Sequence, residues 1–486
     1  MVQTAVQQAQ LYINGEWVAT PKTFEVINPA TGDIIGQVAD GSRADAKRAI
    51  EAAHAALPAW RALTAEQRAE LLTAAYRRIL ERLDDIARVL TMENGKPLAE
   101  SKGETTFGAK FLLWSAEEGK RVYGRTVPSS SPTTRFLVIK QPVGVVGAIT
   151  PWNFPFSMLT RKLGPALAAG CTAVLRPAKH TPLTAVELFK VFDEVGFPKG
   201  VVNLITSSNA REIGDELLEN PLVRKITFTG STEVGKQLMA KAAQQVKRVS
   251  MELGGHAPFL VFDDADLEKA ARAAIWTKFR NAGQTCVCTN RLYVQRSVIE
   301  PFSKRVAELA ASLKVGNGLE PGTEIGPMID RQGFEKAQEH VQDAVSKGAT
   351  VLTGGQPAKV SGNGNGRGVY FYQPTVLAGV TSDMKITHEE TFGPVLPIIA
   401  FDTEEEAIRL ANDTQYGLAA YFFARDVGRI FRVAEALEYG IVGANEQYPV
   451  APQVPFGGYK ESGVARENGM EGIEAFLETK TIGIGL

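Results

Sequence analysis

A chain of 486 residues, 44% hydrophobic and 22% charged, has the length of about two to four domains and ample material for buried cores. That composition excludes a disordered, collagenous or disulfide-stapled protein. With 53 Lys and Arg against 54 Asp and Glu, the net charge of −1 gives no general affinity for polyanions, so a small-molecule substrate is expected and a nucleic-acid partner is not.

The N-terminal residues show no basic stretch followed by an apolar core, and the longest apolar run, Leu163–Leu175, is broken by Gly164, Pro165 and Gly170. No segment approaches the ~18 apolar residues of a membrane span, so a soluble, cytoplasmic protein is expected. The first 40 residues read as short strands, with Asn14-Gly15 and Asn28-Pro29-Ala30-Thr31-Gly32 as turns. A capping box, Thr64-Ala65-Glu66-Gln67, opens a helix whose buried face is expected to hold Leu72, Ala75, Tyr76, Ile79 and Leu83, and a further helical stretch runs to about Gly119. From about 143 to 262, apolar segments alternate with amphipathic helices: Val145–Ile149, Thr172–Leu175, Val201–Leu204, Lys225–Phe228, Val246–Met251 and Phe259–Phe262. Such alternation predicts a parallel sheet covered by helices, with ligands beyond the strand C-termini. A second α/β region follows Asp263, beginning with a helix that presents Leu267, Ala271, Ala274 and Ile275. The run from Ser361 to Gly368 reads as a solvated loop.

Three segments carry chemistry. Gly230-Ser231-Thr232-Glu233-Val234-Gly235-Lys236 has P-loop spacing, but Gln237 replaces the hydroxyl that would hold Mg²⁺. What survives is a glycine turn feeding a helix N-terminus, a place for a pyrophosphate or simply a connection. Asn281-Ala282-Gly283-Gln284-Thr285-Cys286 sets a thiol in a polar loop after a helix. Nearby backbone N–H groups or cations are expected to ionise it, although most free cysteines are only small buried residues. Glu252, ahead of Gly254 and Gly255, is a candidate base. Asn153, stiffened between Pro151 and Pro155, is a candidate oxyanion donor. The Cys286-Val287-Cys288 pair lacks partners at zinc spacing, so no metal is expected.

Together PWNFP at 151–155, FTGSTEVG at 228–235, ELGG at 252–255, NAGQTC at 281–286, EETFGP at 389–394 and PFGGYKESG at 455–463 resemble the aldehyde dehydrogenase superfamily. The likeness runs from about residue 11 to the C-terminus. It implies an α/β fold with a Rossmann-type cofactor domain (1–124 and 143–253), a catalytic domain (254–468) and a small β oligomerisation arm (125–142 and 469–486), assembled as a homodimer or homotetramer. It also implies Cys286 as nucleophile, Asn153 as oxyanion donor, Glu252 as base for hydrolysis, and Lys162 and Glu467 in proton handling. Thr150, Pro151, Trp152, Arg176, Ala178, Lys179, Gly230, Ser231, Glu390 and Phe392 fall on the cofactor side.

Lys179 stands where many members of that family have a glutamate that would repel a 2′-phosphate, which favours NADP with NAD possible. The alternative is a lysine pointing to solvent. Arg161 and Arg280 resemble a carboxylate clamp of the succinate-semialdehyde dehydrogenase subfamily, against the alternative that Arg161 forms an internal salt bridge. The segment Glu446–Gln453 departs from that subfamily, with Val450 where a serine is usual, so another carboxylated or aromatic aldehyde is the alternative substrate. The Cys-x-Cys spacing also raises a strained, reversible Cys286–Cys288 bridge. Rival classes are a thiol hydrolase pairing Cys286 with a histidine, His256 being the one to watch, and a non-enzymatic structural relative.

Overall fold

Asn14 and Gly15 both adopt left-handed backbone angles, which closes a two-residue hairpin between strands Leu11–Ile13 and Glu16–Val18. The computed structural model describes residues 6–360 and 369–486, so the glycine-rich segment at 361–368 lies outside the described residues. The hairpin is one edge of an eight-stranded sheet. The expected alternation builds its middle, where Arg248–Glu252, Val223–Thr229, Val145–Ile149, Thr172–Arg176 and Val202–Leu204 lie side by side and parallel. The short strand Gly463–Val464 closes the other edge, antiparallel to Arg248–Glu252.

Side-chain alternation divides two cores between the faces of this sheet. Val146, Ala148, Ala173 and Leu175 enter one, and Val145, Ile149, Val174 and Ile226 the other. After Val145–Ile149 the chain adds strands on one side, then crosses back to lay Val223–Thr229 on the other. Crevices open at such a reversal, beyond the strand C-termini. Here that point lies between Thr150 and Gly230.

A seven-stranded sheet holds, in spatial order, Thr350–Thr353, Thr375–Ala378, Val395–Phe401, Thr289–Gln295, Ala257–Val261, Ala419–Phe423 and Ile441–Ala444. All neighbours but the first pair are parallel. Phe259, Val261, Leu292 and Tyr421 pack on one face, and Leu260, Tyr293 and Phe422 on the other. Only four residues separate Glu252, at the C-terminal end of its strand, from Ala257, at the N-terminal start of the next. The C-terminal edge of the first sheet therefore meets the N-terminal edge of the second.

A third sheet stands apart: Leu477–Gly485 pairs along its length with Thr134–Pro142, which also holds Arg125–Val127. The C-terminal strand is an edge of that sheet. Among the described residues no helix is long and apolar enough to cross a membrane.

Two expected elements shift. The capping box forms, with Gln67 N–H on Thr64 Oγ1 at 3.2 Å and Thr64 N–H on Gln67 Oε1 at 2.9 Å, and Leu72, Ala75 and Ile79 are buried. That helix nevertheless ends at Glu81, and Leu83 starts the next, Leu83–Asn94. The strand expected from Val246 begins at Arg248. Val246, 89% exposed at φ +52°, belongs to the turn that ends the preceding helix, where its N–H and that of Lys247 bond back to Ala243 and Ala242.

Candidate active site

The loop after Val145–Ile149 is clamped from beneath. Lys96 and Glu104 form a buried ion pair at 2.6 Å. Lys96 Nζ also donates to Asn153 O at 2.7 Å, while Glu104 Oε1 accepts the N–H groups of Phe156 and Ser157. The Asn153 side chain is thereby aimed at the thiol loop: Nδ2 donates to Gln284 O at 3.1 Å, and Oδ1 accepts Phe154 N–H at 3.1 Å. One amide hydrogen remains for an oxyanion.

The thiol loop is equally fixed. Helix Leu267–Phe279 stops at a turn in which Asn281, Ala282 and Gly283 all have positive φ. Glu100 caps the N–H of Asn281 at 2.9 Å. At Gly283 a Cβ would sit 2.3 Å from Gly393 O, so the EETFGP segment can lie directly against the loop. Gln284, which sequence reading passed over, is wholly buried and holds Asn281 O, Pro327 O and the Ile329 N–H.

Cys286 is half-buried and opens onto two cavities. One, of about 330 Å³, is lined by Trp152, Asn153, Ser231, Gly254, Glu390 and Phe392 among others. The other, of about 660 Å³, is lined by Arg161, Arg280, Thr285, Tyr448, Val450 and Phe456 among others. The expectation of a lowered thiol pKa does not hold. Burial, then Glu390 and Glu252, push it up to about 12 against the opposing Arg161. The thiol is protonated at neutral pH and must lose its proton as it reacts. Cys288 points elsewhere, its Sγ near Gly283 O at 3.4 Å and Lys278 Nζ at 3.8 Å; both thiols are free.

Glu252 lies beside these cavities without lining either, buried, with no hydrogen-bond partner on either carboxylate oxygen. Its Oε1 approaches the bare Cα of Gly457, where a Cβ would be 2.9 Å away. Burial and the neighbouring Glu467 raise its pKa well above the carboxylate range, and Lys162 and Arg161 oppose them. Glu467 Oε1 pairs with Lys162 Nζ at 2.6 Å, and Lys162 also donates to Thr227 Oγ1 at 3.2 Å. A buried carboxylate left without partners, beside a second carboxylate and a lysine, suits proton transfer better than structural support.

In the smaller cavity Trp152 and Phe392 meet edge to face at 5.6 Å. Phe392 sits at φ +52°, and burial raises Glu390 to about 7 although its Oε1 accepts the Gly255 N–H at 3.2 Å. Ser231 caps helix Thr232–Ala243, leaving first-turn N–H groups toward the cavity end. The N–H of Gly230 is already taken by Glu252 O at 3.0 Å, so Gly230 contributes close approach rather than a donor. Thr150 and Arg176, at adjoining strand ends, share the bond from Thr150 N–H to Arg176 O at 3.2 Å. The hydroxyls of Thr150 and Thr229 and the Nε of Arg176 are buried without partners. Burial lowers Arg176 to about 10. Ala178 is buried, Lys179 is exposed, and none of Thr150, Arg176, Ala178 or Lys179 lines the cavity itself. The unpartnered Thr229 hydroxyl, the helix N-terminus at Ser231 and the aromatic walls of Trp152 and Phe392 fit a nicotinamide dinucleotide.

In the larger cavity the two arginines are short of acceptors. Arg161 is 4% exposed and its Nε and Nη1 have no hydrogen-bond partner. Its nearest carboxylate is Glu467 Oε2 at 3.9 Å, and its guanidinium lies over the rings of Phe456 and Phe111 at 4.2 and 4.8 Å. The internal salt bridge is therefore marginal. Arg280 stacks on Trp276, Phe154 and Tyr448 at 4.8, 4.9 and 5.1 Å. Val450 lines the same wall. Sequence reading missed Thr285, Tyr448, Phe456 and Trp276, although a cation-bearing cavity calls for flat apolar walls. No histidine lines either cavity. His256 is buried with its ring facing Tyr416 at 6.2 Å, which leaves Cys286 without the partner a thiol hydrolase needs. Among the described residues no group of three or more His, Cys, Asp or Glu is arranged to hold a metal ion.

Comparison with known proteins agrees with this geometry. The sequence profile described as "Aldehyde dehydrogenase family" matches residues 17–482. The chain is 53% identical over 479 residues to a glutarate-semialdehyde dehydrogenase of Pseudomonas putida, covering 98% of each. It is 52% identical over 479 residues to an NADP(+) succinate-semialdehyde dehydrogenase of Escherichia coli, again covering 98% of each. The crystal structure of a succinate-semialdehyde dehydrogenase from Burkholderia pseudomallei superposes with a TM-score of 0.96 at 48% identity, covering 100% of both chains.

Proposed function

The chain belongs to the aldehyde dehydrogenase family, and from that premise we propose that it oxidises succinate semialdehyde to succinate, with NADP as the preferred hydride acceptor and NAD usable. The carrying observation is Arg161, buried with unpartnered Nε and Nη1 and only a 3.9 Å contact to Glu467, lining together with Arg280 a cavity that opens on Cys286. Glutarate semialdehyde, one carbon longer, is the second reading. Val450 in place of a polar side chain and the size of the cavity favour tolerance of length, and the P. putida relative carries that name.

In this reading Arg161 and Arg280 hold the substrate carboxylate in the larger cavity, which directs the aldehyde end to Cys286. The thiol proton leaves to solvent as the sulfur bonds to the carbonyl carbon, and Asn153 Nδ2 donates to the oxygen, which becomes an alkoxide. Trp152, Glu390 and Phe392 position the nicotinamide, which when bound supplies the acceptor for the hydride leaving the same carbon. The acyl group is then a thioester on Cys286. Glu252 takes a proton from water attacking that thioester, and Glu467 with Lys162 stands behind it to receive the proton. Acid and free thiol are regenerated.

Lys179, at the mouth of the turn after Arg176, supports the NADP preference, since no carboxylate stands there to repel a 2′-phosphate. Residues 1–124 and 143–253 serve as cofactor domain, 254–468 as catalytic domain, and 125–142 with 469–486 as oligomerisation arm. The edge strand Leu477–Gly485 supports a homodimer, or a homotetramer of such pairs. A reducing compartment such as the cytoplasm suits a nucleophile that must stay a free thiol. An aldehyde panel assayed with both cofactors tests the proposal: NADPH and succinate should form one for one, and Cys286→Ser should abolish both. Acid release without cofactor reduction would overturn it.

A further inference from the structure

The segment that carries Glu390 and Phe392 is under strain. Phe392 holds a left-handed backbone that aromatic residues rarely adopt, and such a conformation persists only where its surroundings impose it. Three ties bind this segment to helix Arg331–Ser346. Asp343 accepts the Lys385 N–H at 2.8 Å, and Glu339 pairs with the Lys385 ammonium; both lie on the exposed side, at the start of the segment. The third is buried on the Thr391 side: His340 Nδ1 lies 3.0 Å from Thr391 Oγ1, and Nε2 lies 3.4 Å from Oε2 of the exposed Glu389 side chain. His340 and Thr391 are both fully buried, and Thr391 stands between Glu390 and Phe392 on the wall of the smaller cavity. The same helix brings Gln332, Gly333 and Lys336 to that wall, with Lys336 one turn before His340.

We infer that His340 is a positioning residue for the cofactor side of the site, locking the Glu389–Gly393 loop so that Glu390 and Phe392 face the nicotinamide. A histidine that merely filled core space would not engage both neighbours of Glu390 through its two ring nitrogens. The inference rests on the smaller cavity being the cofactor pocket.

The thiol loop and Glu252 do not touch His340, so its loss separates two activities. In His340→Ala the Kd and KM for NADP should rise about tenfold, the size expected for one buried hydrogen bond. The primary isotope effect with 1-deuterated aldehyde should grow as hydride transfer becomes limiting. Cofactor-independent hydrolysis of an activated ester, p-nitrophenyl acetate, by Cys286 and Glu252 should fall much less than NADP affinity does, since His340 reaches those groups only through the loop, by the charge of Glu390 and the Gly393–Gly283 contact. Thr391→Val removes the same bond from the other side and should reproduce the effect without being additive to it. His340→Asn, which can still meet Thr391, should recover most of the affinity. Unchanged NADP affinity and isotope effect in both His340→Ala and Thr391→Val would overturn the inference, as would an equal fall in ester hydrolysis. A wild-type protein that bound no NADP would instead overturn the functional reading, and this inference with it.

Discussion

Replacing Arg161 by alanine isolates the substrate carboxylate. The side chain is 4% exposed, has unmet donors on Nε and Nη1, and is held over the rings of Phe456 and Phe111, so little rearrangement is needed to receive an acid. A charge-assisted hydrogen bond contributes about 1.5–3 kcal/mol, and a forked pair about 3–4 once the weak Glu467 contact at 3.9 Å is given up. That is a factor of about 10² to 10³ in kcat/KM for succinate semialdehyde. The substitution also removes a cation that lowers the pKa of both Cys286 and Glu252. That loss slows every aldehyde alike, and propanal, which has no carboxylate, measures it. The decisive quantity is the ratio of kcat/KM values for the two aldehydes, followed by NADPH formation near neutral pH, which should fall at least about thirtyfold in the variant. Arg161→Lys, which keeps the charge and loses the fork, should lie between. An unchanged ratio would mean that Arg161 serves the fold or the thiol and not the substrate acid.

Glu252→Gln should leave acylation running and stop hydrolysis: stopped flow should show a burst of one NADPH per site, then turnover slower by about 10²-fold or more, and loss of the burst itself would contradict the assignment. Because Glu252 acts as a base only when deprotonated, and its pKa is raised, kcat should climb with pH through that raised value. Lys162→Met removes a cation that holds the carboxylate down, so the rising limb should move to higher pH while the alkaline rate is retained; a limb that does not move would place Lys162 outside the proton path. Lys179→Glu should shift the NADP to NAD ratio of kcat/KM by about tenfold or more toward NAD, and a ratio indifferent to that charge would show that the exposed lysine points to solvent.

The sheets were legible because their strands are buried on both faces: Val145–Ile149 and Thr172–Arg176 are buried throughout and carry apolar runs at Val145–Val146 and Ala173–Leu175, a signal that needs no knowledge of the partner strand. Boundaries were legible only where chemistry marks them. Thr64 and Gln67 announced a helix start, whereas nothing in the local pattern separated Leu83 from the helix before it. Val246 misled because a β-branched residue beside a strand looks like its first residue; its place in a helix-ending turn follows from backbone bonds to Ala242 and Ala243, which no spacing rule displays.

The residues proposed as nucleophile, oxyanion donor and base, Cys286, Asn153 and Glu252, stand out in the sequence as separate motifs, because each such role needs a particular residue in a stiff setting. Their electrostatics were not. Whether Cys286 is a thiolate depends on Glu390, more than a hundred residues later in the chain, and on the burial imposed by two sheets meeting edge to edge. The same meeting explains the division of labour. Loops leaving the C-terminal ends of one set of strands bring Asn153, Ser231 and Glu252, and loops entering the N-terminal ends of the other bring Cys286, Glu390 and Phe392. Neither edge alone could both shield the sulfur and leave it open on two sides. A site built across such a seam depends on the contacts that hold its loops, such as those of Lys96, Gln284 and His340, as much as on its reacting groups. Of those holders His340 sits inside a helix, Lys96 between Gly95 and Pro97, and Gln284 between Gly283 and Thr285, with no spacing to mark them, and only their burial with satisfied partners gives them away.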